Sequence, residues 1–450
     1  MSKVLVYGLA ITGSSVIRAL LKRGYAPICL DDRETTENRS TAESLGIDVE
    51  FAPSVERIGA LVAECDFVVP APGLRESHPV RIQAARQGKN CVSELDLAYE
   101  WESAREGGAR PMIAITGTDG KTTTVALTAQ IVRESGKTVV EAGNTDIPLV
   151  EAIDRDDVDV FVVECSSFRL ATIKKFRATA ATWLNFSPDH LDWHDSLSSY
   201  RAAKEQIWRN NLASDVVVYP ANTPEIANFA AGVLGRKVGF GLGGEYSVGS
   251  GALMARGETI VSVAEMWRAL PHDIDNSLAA CALAIESGQA SIADAERALR
   301  NFTPPHHRIE FIADDNGVTW YDDSKATSPH AARAAIRSFA SVVLIAGGRN
   351  KDLDLGELVH EADHIKAVVA TGEGIEALTA VFKGVREVHP AHSMIDAVRT
   401  ARELASNGDT VLLSPACTSF DWYRNYSERG DDFVRCVREV LSQQSKENQK

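Results

Sequence analysis

With 450 residues, 44% of them hydrophobic, the chain can build several cores, and about two to four domains are expected. A formal net charge of −15 excludes non-specific binding to nucleic acid and leaves any nucleotide ligand dependent on local basic sites. Seven scattered cysteines without a C-x-x-C pair, and no run of about 18 apolar residues, exclude a zinc ribbon, a disulfide framework and a helical membrane span, and fit a reducing cytoplasm.

Alternating strands and helices open the chain. Lys3–Tyr7 reads as a strand, Ser14–Lys22 as a helix and Ala26–Leu30 as a second strand. The apolar start is therefore a strand opening a domain, not a signal peptide. Between the first two elements, Gly8-Leu-Ala-Ile-Thr-Gly13 follows the G-x-G-x-x-G pattern with Ala10 at its middle glycine, and Asp31 or Asp32 supplies an acid about twenty residues on. This is a Rossmann-like half. The Ala10 methyl crowds a close pyrophosphate, so a nucleotide diphosphate, NAD, or no ligand all fit. Phe67–Pro70 ends another strand and turns at Ala71-Pro-Gly73; polar Glu102–Arg110, with Gly107-Gly108, reads as a linker.

Met112–Ile115 is a buried strand that runs into Thr116-Gly-Thr-Asp-Gly-Lys-Thr122, and Thr123–Ser135 is helical. Strand, glycine-rich turn, lysine, hydroxyl and helix form the arrangement that cradles a nucleotide triphosphate. Backbone N–H groups and the helix N-terminus face the phosphates, Lys121 reaches the outer ones, and the Thr122 hydroxyl suits Mg²⁺. The usual P-loop has four residues between its first glycine and the Gly-Lys pair, whereas here Thr118-Asp119 alone separate Gly117 from Gly120. The ATP-contacting set expected from this loop is Gly117, Thr118, Asp119, Gly120, Lys121, Thr122 and Thr123.

Val158–Glu164 is a strand whose final carboxylate could hold Mg²⁺ as a Walker-B acid does, or simply be solvated. After the strand Thr179–Asn185 comes Asp189-His-Leu-Asp-Trp-His194. His190 and His194 are i, i+4, which suits either a metal-binding histidine or a satisfied loop histidine. Lys204 lies in the helix Ser199–Asn211 and reads locally as an ordinary surface lysine. Val216–Tyr219 is a strand, Gly239–Val263 a small antiparallel sheet, and Asn276–Ser287 and Ser291–Phe302 are helices. Thr303-Pro-Pro305 is a second linker, about which the last region is expected to swing as a rigid body. In that region Ser341–Ala346, Ala367–Thr371 and Thr410–Ser414 open into turns at Gly347–Lys351, Gly372–Gly374 and Pro415–Ser419. Ligand sites in open α/β sheets lie at such carboxyl ends. Asp322-Asp-Ser-Lys-Ala-Thr327 groups acids, a lysine and hydroxyls after a strand, and Asp431–Ser442 is the final helix. The fold class is α/β in three domains: a Rossmann-like one over 1–105, a P-loop ATPase type over 106–303 and a second Rossmann-like one over 304–450.

In order, the chain carries Thr-Gly-Thr-Asp-Gly-Lys-Thr, Gly143-Asn144, Glu164-x-Ser-Ser-Phe168, Asp189-His-Leu-Asp192, Tyr200-Arg-Ala-Ala-Lys204, His307-Arg308, Asp323-Ser-Lys-Ala-Thr327 and Leu413-Ser-Pro-Ala-Cys417. This set resembles the Mur ligases of peptidoglycan synthesis over essentially the whole chain, and most the glutamate-adding branch. The resemblance implies a UDP-binding first domain, an ATPase middle domain and a last domain that brings the amino acid. It also implies that Lys204 is carbamylated by CO₂ into an anionic magnesium ligand. His190 would bind the same ion, and Glu164 and Thr122 would serve the ion at the β/γ-phosphates. Lys121, Glu164, His190 and Lys204 form the implied catalytic set. Asn276, Arg308 and Asp323 would hold ATP; Asn144 would touch substrate near the metals. Lys325, Thr327, Lys351, Ser419 and Tyr426 would surround the incoming glutamate or the phosphate, while Thr12 and Arg33 would contact the uridine diphosphate.

The chain also departs from the family. Asp273 replaces a usual amide with an acceptor-only carboxylate beside the expected adenine site, and Ala71 and Asp32 stand where serine and threonine are common. The activity implied is an ATP-dependent amide ligase joining glutamate to UDP-MurNAc-L-alanine through an acyl phosphate. The alternatives are a related ligase with another acceptor or amino acid, such as L-glutamate or a folylpolyglutamate type, and a nucleotide-binding regulator. ATP and Mg²⁺ are the expected cofactors; the protein is expected to be a cytoplasmic monomer with no nucleic-acid partner and no membrane insertion.

Overall fold

A computed structural model describes residues 2–191, 193–351 and 353–447. Its strands form three sheets of five, nine and six strands. Contacts divide the chain into two compact units, one built on the first two sheets and the other on the third.

The five-stranded sheet is wholly parallel, in the spatial order Val49–Phe51, Ala26–Asp31, Lys3–Tyr7, Phe67–Pro70, Asn90–Cys91. The first strand in sequence lies at its centre, so the chain leaves it in opposite directions and opens a crevice at its carboxyl end. The Gly8–Gly13 loop occupies that end. Gly8 has φ +100°, and a Cβ on Gly13 would lie 1.7 Å from the Gly8 carbonyl oxygen, so the turn closes only with glycine at both ends. The following helix, Ile11–Lys22, begins three residues earlier than the sequence pattern indicates.

In the nine-stranded sheet, Met112–Thr116 lies between Ala180–Trp183 and Val160–Glu164, with Val139–Gly143 at one edge. Every residue of Met112–Thr116 is buried, as a parallel strand covered on both faces requires. The glycine-rich stretch expected to make a small antiparallel sheet does pair antiparallel, but as an extension of this one. Tyr246 of the strand Tyr246–Gly249 pairs in parallel with Phe240, and Ala252–Ala255 and Glu258–Ser262 follow it, each antiparallel to its neighbour, out to the edge. An unpaired edge beside Arg236–Phe240 takes up the hairpin's free hydrogen-bonding groups.

The first two sheets share one apolar core. It joins Val4, Val6 and Leu20 of the first sheet and its helix to Leu95, Leu149, Val150 and Phe161. The connection between the sheets is pinned at both ends. Buried Arg110 donates to Glu102 at 2.6 and 2.8 Å and to the carbonyls of Arg155 and Ile153 at 2.6 and 2.7 Å.

The six-stranded sheet runs Glu310–Asp315, Val318–Asp322, Thr410–Leu413, Val342–Gly347, Ile365–Thr371, Val388–Ala391, and only its first pair is antiparallel. Separate apolar clusters cover its two faces. Its last helix starts at Tyr426, five residues before the expected Asp431, and extends to Glu447.

Candidate active site

The Gly117–Gly120 loop leaves the carboxyl end of the central strand and caps the helix Lys121–Glu134. Gly120 is left-handed at φ +78°, and a Cβ there would come within 2.4 Å of Asn276 Oδ1. Asn276 is thus packed beneath the loop, where its oxygen accepts from Thr124 Oγ1 at 3.2 Å. Asn185 clamps the loop from the neighbouring strand end. Its side-chain oxygen accepts from the N–H groups of Thr118 and Asp119 at 2.9 and 3.0 Å, and its amide donates to the Asp119 carbonyl at 3.2 Å. Lys121 is half-buried and donates to the carbonyls of Gly117 and Thr118 at 2.8 and 2.7 Å. Thr122 is half-buried and Thr123 buried in the first helical turn.

Glu164 ends its strand beside this loop's strand, with Ile115 paired to it. It is 3% exposed. Oε1 accepts from Asn144 Nδ2 at 2.9 Å, while Oε2 is buried with no hydrogen-bond partner among the described residues. Gly143 makes this approach possible: its φ is +94°, and a Cβ would lie 2.4 Å from the Glu164 carbonyl oxygen. A buried carboxylate oxygen without a donor suits a hard divalent cation.

Lys204 is 1% exposed, which corrects its local reading as a surface lysine. The helix Leu197–Glu205 buries Tyr200, Ala203 and Lys204, an i, i+3, i+4 stripe that puts the lysine on the core face. Lys204 Nζ donates to the Gly117 carbonyl at 2.7 Å and lies 4.6 Å from the centre of the Tyr200 ring. Tyr200 in turn pairs its hydroxyl with Thr118 Oγ1 at 3.1 Å. Loop, tyrosine and lysine form one connected group.

His190 and His194 are not neighbours on a helix face, since the segment between them is a non-helical turn in which His190 has φ +55°. His194 is buried and bonded to Ser167 Oγ at 2.9 Å, so it serves the packing of the Glu164–Phe168 turn. His190 clusters with the second unit; its N–H donates to Asp189 Oδ1 at 2.7 Å.

At the first-sheet crevice, Thr12 is half-buried and its Oγ1 accepts from Arg169 at 2.9 Å. Arg33 is exposed, and its N–H donates to Asp31 at 2.9 Å. Both oxygens of Asp32 are engaged. Tyr7 donates to one at 2.6 Å, and His78 Nε2 meets the other at 3.2 Å, with His78 Nδ1 accepting from Val80 N–H.

In the second unit Asp323 is buried and accepts from Ser414 Oγ at 2.8 Å; burial pushes its carboxyl up to about 7, with Arg308 pulling the other way. Lys325 Nζ lies 4.8 Å from the centre of the Tyr426 ring, and Thr327 is half-buried two residues on. The turn that carries Lys351 is tied to the segment that carries buried Ser419: Arg349 and Thr418 exchange backbone hydrogen bonds at 3.0 and 2.9 Å. Lys351 itself is half-buried.

Three stretches match family descriptions: residues 2–93 the Mur ligase MurD-like N-terminal domain, 115–284 the Mur ligase middle domain, and 307–417 the Mur ligase glutamate ligase domain. A UDP-N-acetylmuramoylalanine--D-glutamate ligase of Streptomyces avermitilis is 36% identical over 464 residues, covering 97% of each chain. The chain belongs to the Mur ligase family. It is an ATP-dependent ligase. The equally named protein of Aquifex aeolicus is 34% identical over 97% of this chain and 98% of its own. The crystal structure of a UDP-N-acetylmuramate-alanine ligase from Thermotoga maritima shares the fold, with a TM-score of 0.60 at 20% identity over 98% of this chain and 100% of its own.

Several residues that shape the sites of this Mur ligase carry no local signal in the sequence. Asn185 is one. Arg429 is another: buried in the last helix, it donates to the Ser324 hydroxyl and carbonyl and to the Cys417 carbonyl at 3.0, 2.8 and 3.1 Å, joining two of the expected substrate segments. Asp273, the acceptor-only carboxylate beside the expected adenine site, is fully buried and held by Arg268 through two hydrogen bonds of 2.6 and 2.9 Å. Clustered His307, Glu310 and Asp322 lie outside the expected metal set, and they bond to one another: His307 Nδ1 lies 2.7 Å from Asp322, and His307 N–H donates to Glu310 at 2.9 Å. Among the described residues, no helix is long and apolar enough to cross a membrane.

Proposed function

We propose that this Mur ligase adds D-glutamate to UDP-N-acetylmuramoyl-L-alanine at the expense of ATP. The observation that carries the reading is end-to-end similarity to D-glutamate ligases, in a chain whose glycine-rich loop gathers Lys121 and Lys204 onto its own carbonyls. The three domains are 1–105 for the UDP substrate, 106–303 for ATP and 304–450 for the amino acid. The chain acts as a monomer in the cytoplasm, with no nucleic-acid partner.

In the reaction, a carboxylate oxygen of UDP-MurNAc-L-alanine attacks the γ-phosphorus of ATP and ADP leaves. The glutamate amine then attacks the acyl phosphate carbon, loses a proton, and phosphate departs as the amide forms. Lys121 turns from the loop carbonyls to the transferring phosphoryl oxygens and offsets their charge. The N–H groups held in place by Asn185 present fixed donors to the phosphates. Asn276, Arg308 and Asp323 hold ATP. Thr12 and Arg33 bind the uridine diphosphate and Asn144 orients the reacting end. Lys325, Thr327, Lys351, Ser419 and Tyr426 receive the glutamate and the departing phosphate.

Thr122, Glu164, His190 and a carbamylated Lys204 are the residues that would hold Mg²⁺, which would supply positive charge against the phosphate oxygens. The buried, donor-free Glu164 oxygen supports that assignment. Carbamylation would replace the ammonium with an anionic carbamate while leaving an N–H on Nζ for the Gly117 carbonyl.

Phosphate release from ATP should require UDP-MurNAc-L-alanine and D-glutamate together. Release with neither, with L-glutamate in preference to D-glutamate, or with a folate and glutamate instead, overturns the reading.

A further inference from the structure

We propose that Arg169 is a positioning residue that sets the Thr12 hydroxyl as a fixed hydrogen-bond donor to the UDP-bearing substrate. The inference rests on the functional reading above, which assigns Thr12 to that substrate.

Arg169 lies in the short turn Ser167–Leu170 that follows Glu164, yet it works on the first sheet. It is 6% exposed. One guanidinium arm donates to Glu94 Oε2 at 2.6 Å and the other to Thr12 Oγ1 at 2.9 Å. The other Glu94 oxygen accepts from the Val150 N–H at 2.7 Å. Burial pushes the Glu94 carboxyl up and Arg169 pulls it down, so the carboxylate and the guanidinium hold each other in place.

A guanidinium only donates, so Thr12 accepts in this bond, and its single hydroxyl proton must point elsewhere. Among the described residues that proton has no acceptor. The charge on Arg169 draws density from the Thr12 oxygen and strengthens the outgoing donor. Thr12 sits in the first turn of the helix Ile11–Lys22, whose Ala10 cap offers no side-chain acceptor, so hydroxyl and helix terminus both favour an anionic or carbonyl oxygen. Within six residues the chain therefore carries both Glu164, at the strand end beside the ATP loop, and the Arg169 guanidinium that orients Thr12. A substrate bound at Thr12 and the acid at Glu164 are aligned by the same few residues.

The test is a double-mutant cycle on the full chain, with UDP binding read by calorimetry and a non-hydrolysable ATP analogue as the control ligand. Thr12→Val deletes the acceptor at nearly constant shape. Arg169→Lys keeps a cation for Glu94 but loses the second donor arm. Each single change should weaken UDP about five- to thirtyfold, and the double variant should be no weaker than the worse single. ATP-analogue affinity should stay unchanged, and with it the KM for ATP in turnover. Arg169→Gln, which drops the charge, is the second probe if Arg169→Lys melts below the assay temperature; its loss of UDP affinity should likewise disappear in the Thr12→Val background. Losses that multiply, wild-type UDP affinity in the Arg169 variants, or equal weakening of both nucleotides overturns the proposal. Failure of the unsubstituted protein to bind UDP overturns the functional reading and the proposal with it. UDP binding without glutamate-dependent turnover counts against the reaction alone.

Discussion

Asn144 donates to one oxygen of Glu164 at 2.9 Å, and the other is buried with no donor among the described residues. An unmet buried acceptor costs about 1–3 kcal/mol, and the fold accepts that cost beside its glycine-rich loop. Glu164→Gln should therefore retain or raise the melting temperature while lowering kcat by about 10²–10³-fold and raising the Mg²⁺ concentration needed for half-maximal rate. Thermal melts and a magnesium titration of phosphate release check both. A variant with normal turnover and normal magnesium demand would remove Glu164 from the metal set.

Lys204 is buried against the Gly117 carbonyl and the Tyr200 ring. A bare ammonium beside magnesium is unfavourable, whereas a carbamate supplies the oxygen ligands the ion prefers. Lys204→Ala should nearly abolish turnover, and acetate or formate should partly restore it. Lys204→Arg should show no rescue, because the guanidinium fills the space and keeps its charge. Full activity of Lys204→Ala in CO₂-depleted buffer without added carboxylate would return the lysine to a packing role.

Asp323 has its carboxyl raised by burial from 3.8 to about 7. Between these values the folded chain binds more protons than the unfolded one, so stability falls as pH rises through this window. Below it both states are protonated and the penalty is absent; above it the penalty is complete. Asp323→Asn, which can still accept from Ser414, should flatten the decline and melt higher than the parent at pH 8. Parallel pH–melting curves for the two proteins would rule out this source of the pH dependence.

Arg110 and Glu102 fasten the connection between the first two sheets in a buried pair. Arg110→Met leaves the Glu102 charge without its partner and should cost about 3–5 kcal/mol, whereas Arg110→Met with Glu102→Leu should recover most of it. Urea unfolding of the single and double variants measures the difference. A loss below about 1 kcal/mol in the single variant would mean that water replaces the arginine.

The glycine-rich loop was legible in the sequence because its chemistry is local: strand, glycines, lysine and helix are contiguous, and Gly120 needs its left-handed backbone whatever surrounds it. The parallel strands with apolar runs and the α/β class were legible for the same reason, through periodicity. Strand order was not, since the placement of Tyr246 beside Phe240 depends on which edge is left open. Lys204 marks the boundary between the two kinds of information. Its i, i+4 spacing from Tyr200 lies in the sequence, but a lysine on a core face is unfavourable until the Gly117 carbonyl receives it from a segment 87 residues away. Asn185, Arg169, Arg429 and the Arg268–Asp273 pair have the same character. Each is a polar group whose role is set by what it meets in space, and only the tertiary structure decides whether a buried charge has a partner.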